Sequence, residues 1–238
     1  MEFSQPLTEG RLLRRYKRFL ADILLDDGRE VTAHVANPGS MLGLDTPQAR
    51  VLLSHSDNPR RKLAWSWELV EASPVTGGAP RWVGVNTALP NRLVAEALAL
   101  GRLTPFRDYP QVRPEVKYGK ASRVDFLLGR DGAPPCYLEV KNVHLMREDG
   151  LAEFPDCTAA RSAKHMHELA AMTAQGARAA LVYVVQMAAE RFSVAADIDP
   201  VYAQACRVAR EAGVEIYAYG CQVDPQGIVI TRPLPVLA

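Results

Sequence analysis

At 238 residues, with 48% hydrophobic and 23% charged side chains, the chain has ordinary globular composition and room for two compact cores, which excludes a disordered or fibrous class. Its 28 basic and 27 acidic residues leave a formal net charge of +1, so any affinity for a polyanion has to be local. Cys136, Cys157, Cys206 and Cys221 form no close pair of zinc or redox spacing, no run has the length of a membrane span, and the polar start after Met1 is unlike a secretory signal; reduced thiols, no membrane partner and a cytoplasmic location are expected.

From residue 16 to 82 short β-favouring runs alternate with turn residues. Runs at 19–25 and 31–35 flank Asp26-Asp27-Gly28, whose glycine supplies the positive φ of a tight hairpin, with Phe19, Ala21 and Ile23 on one face. Further strands are predicted at 51–55, 64–71 and 81–85, and the stretch 73–80 is a turn between two of them. With the loop Asn37-Pro38-Gly39-Ser40, these strands predict a small barrel of the oligonucleotide-binding (OB) type over residues 1–82. Trp65, Trp67 and Trp82 belong to its core or rim, with base stacking as the alternative.

The rhythm then changes. Thr87 is placed to cap a helix at 89–100, where Pro90 falls in the tolerant first turn. Strands at 112–118, 123–128 and 136–143, a helix at 159–173, a strand at 179–185, a helix at 201–212 ending at Gly213, and a strand at 214–219 follow. The run Ala179-Ala180-Leu181-Val182-Tyr183-Val184-Val185 has no polar face, which is the pattern of a central strand covered on both sides. Residues 83–238 therefore read as an α/β domain with a mixed central sheet flanked by helices, and the whole as a two-domain α+β chain.

Charge interrupts two of these apolar strands, at Arg123-Val124-Asp125-Phe126 and at Tyr137-Leu138-Glu139-Val140-Lys141. Strand alternation puts Glu139 and Lys141 on one face, and a hairpin pairing lets Asp125 share it. Two carboxylates in a partly buried place call for a counter-charge; with the carbonyl of Val140 they suit Mg2+ or Mn2+, and Lys141 beside them can serve phosphodiester hydrolysis. A surface ion pair on an exposed sheet is the plainer alternative. Glu96 falls between Leu89, Leu93 and Leu100 on the helical wheel, aimed inward as a third candidate acid. On the next helix Ala163, Met166 and Ala170 form the apolar face, and Arg161 and Lys164 are free to reach a phosphate.

Arg11, Arg14, Arg15, Lys17 and Arg18 form one acid-free basic cluster and Arg60-Arg61-Lys62 a second; together they predict a sequence-independent phosphate-tracking surface, with a merely solvated face as the alternative, and Tyr16 and Phe19 add stacking groups. Glu115-Val116-Lys117 reads as an edge-strand salt bridge, and His144 as a peripheral side chain, with a base close to Lys141 as the alternative. The run His165-Met166-His167-Glu168 fails the zinc-protease pattern, which needs histidine where Ala171 stands.

Taken together, Arg15-Tyr16-Lys17-Arg18-Phe19-Leu20-Ala21-Asp22, Asn37-Pro38-Gly39-Ser40-Met41, Val85-Asn86-Thr87, Glu115-Val116-Lys117-Tyr118-Gly119, Ser122-Arg123-Val124-Asp125-Phe126, the segment Tyr137-Leu138-Glu139-Val140-Lys141, Phe154-Pro155-Asp156, Lys164-His165 and Arg191-Phe192 resemble the sugar fermentation stimulation proteins along essentially the whole chain. The resemblance implies an OB-like barrel joined to a restriction-endonuclease-like PD-(D/E)xK domain, sequence-independent DNA binding, and a link to regulation of sugar, notably maltose, metabolism. It places Asp125 and Glu139 as metal-binding acids, Lys141 as active-site lysine and Glu96 as the helix acid. Departures are Ala159 and Ser162 at the start of the second helix, where threonine and glycine are usual, and His144 for a usual threonine. Two readings stay open: a Mg2+- or Mn2+-dependent nuclease and a non-catalytic DNA-binding regulator. No sugar-site signature is found.

Overall fold

The structure, a computed structural model, describes residues 1–119 and 122–237. Its first half contains β1 (Thr8–Tyr16), β2 (Leu20–Leu25), β3 (Glu30–His34), β4 (Arg50–His55), β5 (Trp65–Ala72) and β6 (Arg81–Gly84). The β1–β2, β2–β3, β4–β5 and β1–β4 pairs are antiparallel, and a short parallel contact of Ala33 with Trp65 and His34 with Ser66 joins β3 to β5, closing a five-stranded barrel. β6 hangs on the outer edge of β5. Alternation decides what fills the barrel: Ala21, Ile23 and Leu25 point inward with Leu12, Val51, Leu53 and Trp67. β1 goes unpredicted because its arginines hide the alternation, yet Gly10 and Leu12 on either side of Arg11 are buried.

The second half runs α1 (Leu89–Ala99), β7 (Gln111–Tyr118), β8 (Ser122–Gly129), β9 (Cys136–Val143), β10 (Leu145–Glu148), β11 (Leu151–Phe154), α2 (Ala160–Ala174), β12 (Arg178–Val185), β13 (Arg191–Val194), α3 (Pro200–Glu211), β14 (Glu215–Asp224) and β15 (Gly227–Leu234). Its main sheet is mixed, in the order β15-β14-β12-β9-β8-β7, with the β9–β12 and β12–β14 pairs parallel. β12 lies near its middle, and its odd-numbered residues from Ala179 to Val185 join one apolar cluster while Ala180, Val182 and Val184 join the other. α2 and α3 cover the first face and α1 the second. The four cysteines are free. Among the described residues no helix is long and apolar enough to cross a membrane.

Thr87 does not cap α1. Its Oγ1 donates to the Ala36 carbonyl at 2.7 Å, and Asn86 Oδ1 accepts the Ala88 N–H at 2.9 Å instead. The barrel interior and the α2/α3 face belong to one continuous apolar cluster through Val35, Met41, Val85 and Met146, so the barrel is packed onto the sheet.

Candidate active site

β8 and β9 pair from Leu128 and Cys136 up to Phe126 and Leu138, and then the ladder stops. The next couple in that register is Asp125 with Glu139. In place of a backbone acceptor, Asp125 Oδ2 takes the Val140 N–H at 2.7 Å, and Asp125 Oδ1 takes Asn91 Nδ2, from the first turn of α1, at 2.7 Å. Burial, and then the charge of Glu139, push the Asp125 carboxyl up to about 6.

Glu139 is 2% exposed. Its Oε1 accepts Lys141 Nζ at 2.6 Å and a hydrogen bond from His165 Nδ1 on α2. Burial alone would raise this carboxyl; the His165 bond and the Lys141 charge outweigh it and hold it below its ordinary value. A carboxylate only accepts, so His165 Nδ1 carries a proton, and the 3.3 Å approach of Lys141 Nζ to that nitrogen brings together two donors that share one oxygen. The other oxygen, Glu139 Oε2, is buried with no hydrogen-bond partner. An orphaned anionic oxygen costs its full desolvation, and a cation is the group that relieves it. Among the described residues no three His, Cys, Asp or Glu side chains form a metal cluster; two carboxylates and a main-chain carbonyl match a Mg2+-like ion, which takes few protein ligands.

These groups floor a cleft of about 850 Å³ between the barrel and the sheet, walled by Arg18, Asn37, Pro38 and Gly39 on one side and by Arg123, Arg161, Ser162 and Lys164 on the other. Its shape is set by Asp156, whose Oδ2 takes the Met41 N–H at 2.8 Å, Ser40 Oγ at 3.2 Å and His144 Nε2 at 3.1 Å. Burial opposes ionisation here, but the His144 hydrogen bond and charge and the Met41 N–H keep Asp156 well below the usual carboxylate range. His144 is thus buried and bonded to the carboxylate that reaches the barrel, not peripheral.

Profiles of two family domains match the chain: the SfsA N-terminal OB domain over residues 13–85 and the sugar fermentation stimulation protein RE domain over residues 88–227. A sugar fermentation stimulation protein homolog of Methylorubrum extorquens is 62% identical over 237 residues, which is 100% of this chain and 95% of the relative. The chain belongs to the sugar fermentation stimulation protein family. Another homolog, from Methylobacterium nodulans, is also 62% identical and is covered to 99%. The structure of Pyrococcus furiosus SfsA in complex with Ca2+ superimposes with a TM-score of 0.88 at 24% identity, covering 100% of this chain and 98% of that one, so the two share a fold.

Within this family fold the predicted residues separate. Asp125, Glu139, Val140 and Lys141 come together, and Arg18, Arg161 and Lys164 line the same cleft. Glu96 does not join them. The buried face of α1 is Leu89, Pro90, Leu93, Val94 and Ala97, so Glu96 sits at its border, where it pairs with the N-terminal ammonium at 2.9 Å and lies 3.9 Å from Arg102. Arg15 is internal: its guanidinium donates to the carbonyls of Arg18, Asn37, Gly39 and Ser40. Arg14 is tied to Asp22 at 2.8 Å, and Arg11 reaches the Gln48 carbonyl at 3.3 Å. Lys17 is exposed in the β1–β2 turn. Arg60, Arg61 and Lys62 are exposed between β4 and β5 and line no part of the cleft, Arg61 donating to Ser66 Oγ at 2.7 Å. Glu115 is on edge strand β7 as predicted, but it makes no ion pair among the described residues; it has φ 54° and faces the cleft. Asn91, Arg123, His165 and Asp156 are the site residues that sequence reasoning missed.

Proposed function

We propose that this protein is a divalent-cation-dependent phosphodiesterase acting on DNA without sequence preference, in which residues 83–238 carry the chemistry and the barrel of residues 1–82 contributes one wall of the binding cleft. The observation that carries this reading is the buried, unpartnered Glu139 Oε2 beside Asp125 and Lys141 at the floor of a cation-walled cleft. Asp125, Glu139 and the carbonyl of Val140, which in a strand faces the same side as its N–H, would hold Mg2+ or Mn2+. The Ca2+ in the Pyrococcus furiosus relative is a hard cation of the same oxygen-seeking class. When bound, such an ion supplies positive charge to the scissile phosphate and acidifies water.

The chain's own residues do the rest. Glu139 Oε1, shared by His165 and Lys141, fixes the Lys141 ammonium against the acid pair, where it offsets phosphate charge. Asn91 and the Val140 N–H orient the Asp125 carboxylate. Arg161 and Lys164 on α2 and Arg123 on β8 hold the flanking phosphates, contacts that carry no base information.

A labelled DNA incubated with Mg2+ or Mn2+ is expected to be cut by the wild-type protein and left intact in EDTA or by Glu139→Gln. Uncut DNA under every cation condition would return the reading to a non-catalytic, DNA-binding regulator.

A further inference from the structure

The turn between β1 and β2 breaks the local rules of a hairpin. Tyr16 pairs with Leu20, leaving Lys17, Arg18 and Phe19 to reverse the chain. Lys17 and Arg18 have φ of 49° and 64°, the left-handed region that glycine and asparagine occupy readily and long side chains do not. The shape is held from outside. Phe19 O accepts the Val35 N–H at 2.8 Å, Arg15 donates to the Arg18 carbonyl at 3.1 Å, and Arg18 Nη2 donates to the Pro38 carbonyl of the cleft wall at 2.7 Å.

Two consequences follow for the side chains. Arg18 is drawn onto the cleft, and Phe19 is turned into solvent, 46% exposed. Among the described residues every other Phe, Tyr and Trp is buried or half-buried, and no ring or guanidinium stacks on Phe19. A half-exposed apolar ring with no ring or guanidinium stacked on it, carried on a turn bent against its own propensities, is placed for contact with something outside the fold. The cations nearby point to what that is: Arg18, Arg123 and Arg161 line the cleft without an acidic partner among the described residues, a spread of charge that suits successive phosphates. A duplex hides its base faces in the stack, whereas an unpaired base offers a ring that an exposed aromatic can cover.

We infer that the cleft takes single-stranded DNA, with an unpaired base stacked on Phe19 and its backbone led by Arg18 toward Arg123 and Arg161 across the acid floor. The inference rests on the DNA reading above and specifies its substrate.

The test is fluorescence anisotropy of the full chain in EDTA with a labelled strand of about 15 nucleotides, within the site sizes of such barrels, and with the same sequence as a duplex. The single strand binds more tightly; Phe19→Ala weakens it roughly tenfold or more and leaves duplex affinity unchanged, while Phe19→Trp restores it. Equal affinity for strand and duplex, or wild-type affinity in Phe19→Ala, overturns the inference. Loss of all binding to either form overturns the DNA reading as well. A duplex bound as tightly as the strand or more tightly, with Phe19→Ala leaving strand affinity unchanged, removes the single-strand inference alone.

Discussion

Asp125 closes the β8–β9 ladder with its side chain, accepting the Val140 N–H at 2.7 Å where a backbone carbonyl would otherwise stand. The two strands therefore part at the acid pair, and the gap between them opens into the cleft. This placement makes the metal-free site costly. The Asp125 carboxyl sits at about 6, above its ordinary 3.8, so the folded chain binds a proton more tightly than the unfolded one. Its contribution is full below the ordinary carboxylate range and is lost as pH rises through about 6.

Asp125→Asn should accordingly stabilise the metal-free protein at pH 7–8 by up to about 3 kcal/mol, the order set by that shift, and by little at pH 4. The asparagine oxygen still accepts the Val140 N–H, and Asn91 can turn its amide to accept the new Nδ2. Thermal melts of both proteins in EDTA across pH 4–8 check this. Equal melting temperatures throughout would show that the carboxyl carries no such cost.

Arg15 and Arg161 should behave oppositely. Arg15→Ala strips donors from four carbonyls and is expected to destabilise the fold by about 3 kcal/mol. Arg161→Ala, at an exposed position, should leave stability within about 0.5 kcal/mol and lower the slope of log affinity against log salt by about one. Urea unfolding and salt titrations of DNA binding separate the two.

Gly39 is a close-approach position. A Cβ there would lie 2.5 Å and 2.8 Å from the Asp156 carboxylate oxygens, displacing the group that Met41, Ser40 and His144 share. Gly39→Ala is expected to cost about 1–3 kcal/mol in urea unfolding.

Glu96→Gln should change neither cation binding nor DNA cleavage, and should cost no more than about 1 kcal/mol, since a half-exposed carboxylate loses one ion pair with the N-terminal ammonium. Calorimetry, a cleavage assay and urea unfolding read the three quantities.

The acid pair was legible because strand alternation has period two: once 123–128 and 136–143 read as a hairpin, Asp125 can share the face of Glu139 and Lys141, and the register of the ladder then sets the two acids opposite one another. Helical faces were harder. On α2 the apolar arc was read from Ala163, Met166 and Ala170, but Leu169 and Met172 are buried too, and His165 lies four and seven residues before them. That wider stripe is the signal that would have brought His165 to Glu139. On α1 the arc is centred on Leu93 and Ala97, not on Glu96, and Leu100 at its supposed edge is exposed. Charge along β1 does not reveal partners: Arg14 has Asp22 and Arg15 has four carbonyls, while of the five only Arg18 lines the cleft. β10, β11 and β13, of four residues each, are too short to show a period.

Calorimetric titration of Mg2+ or Ca2+ into the wild-type protein, Asp125→Asn and Glu139→Gln at pH 7.5 tests the acid pair most directly. Saturable binding by the wild type that disappears in both variants is the predicted result. Isotherms that coincide for all three proteins, whether binding or flat, would contradict a cation site at Asp125 and Glu139.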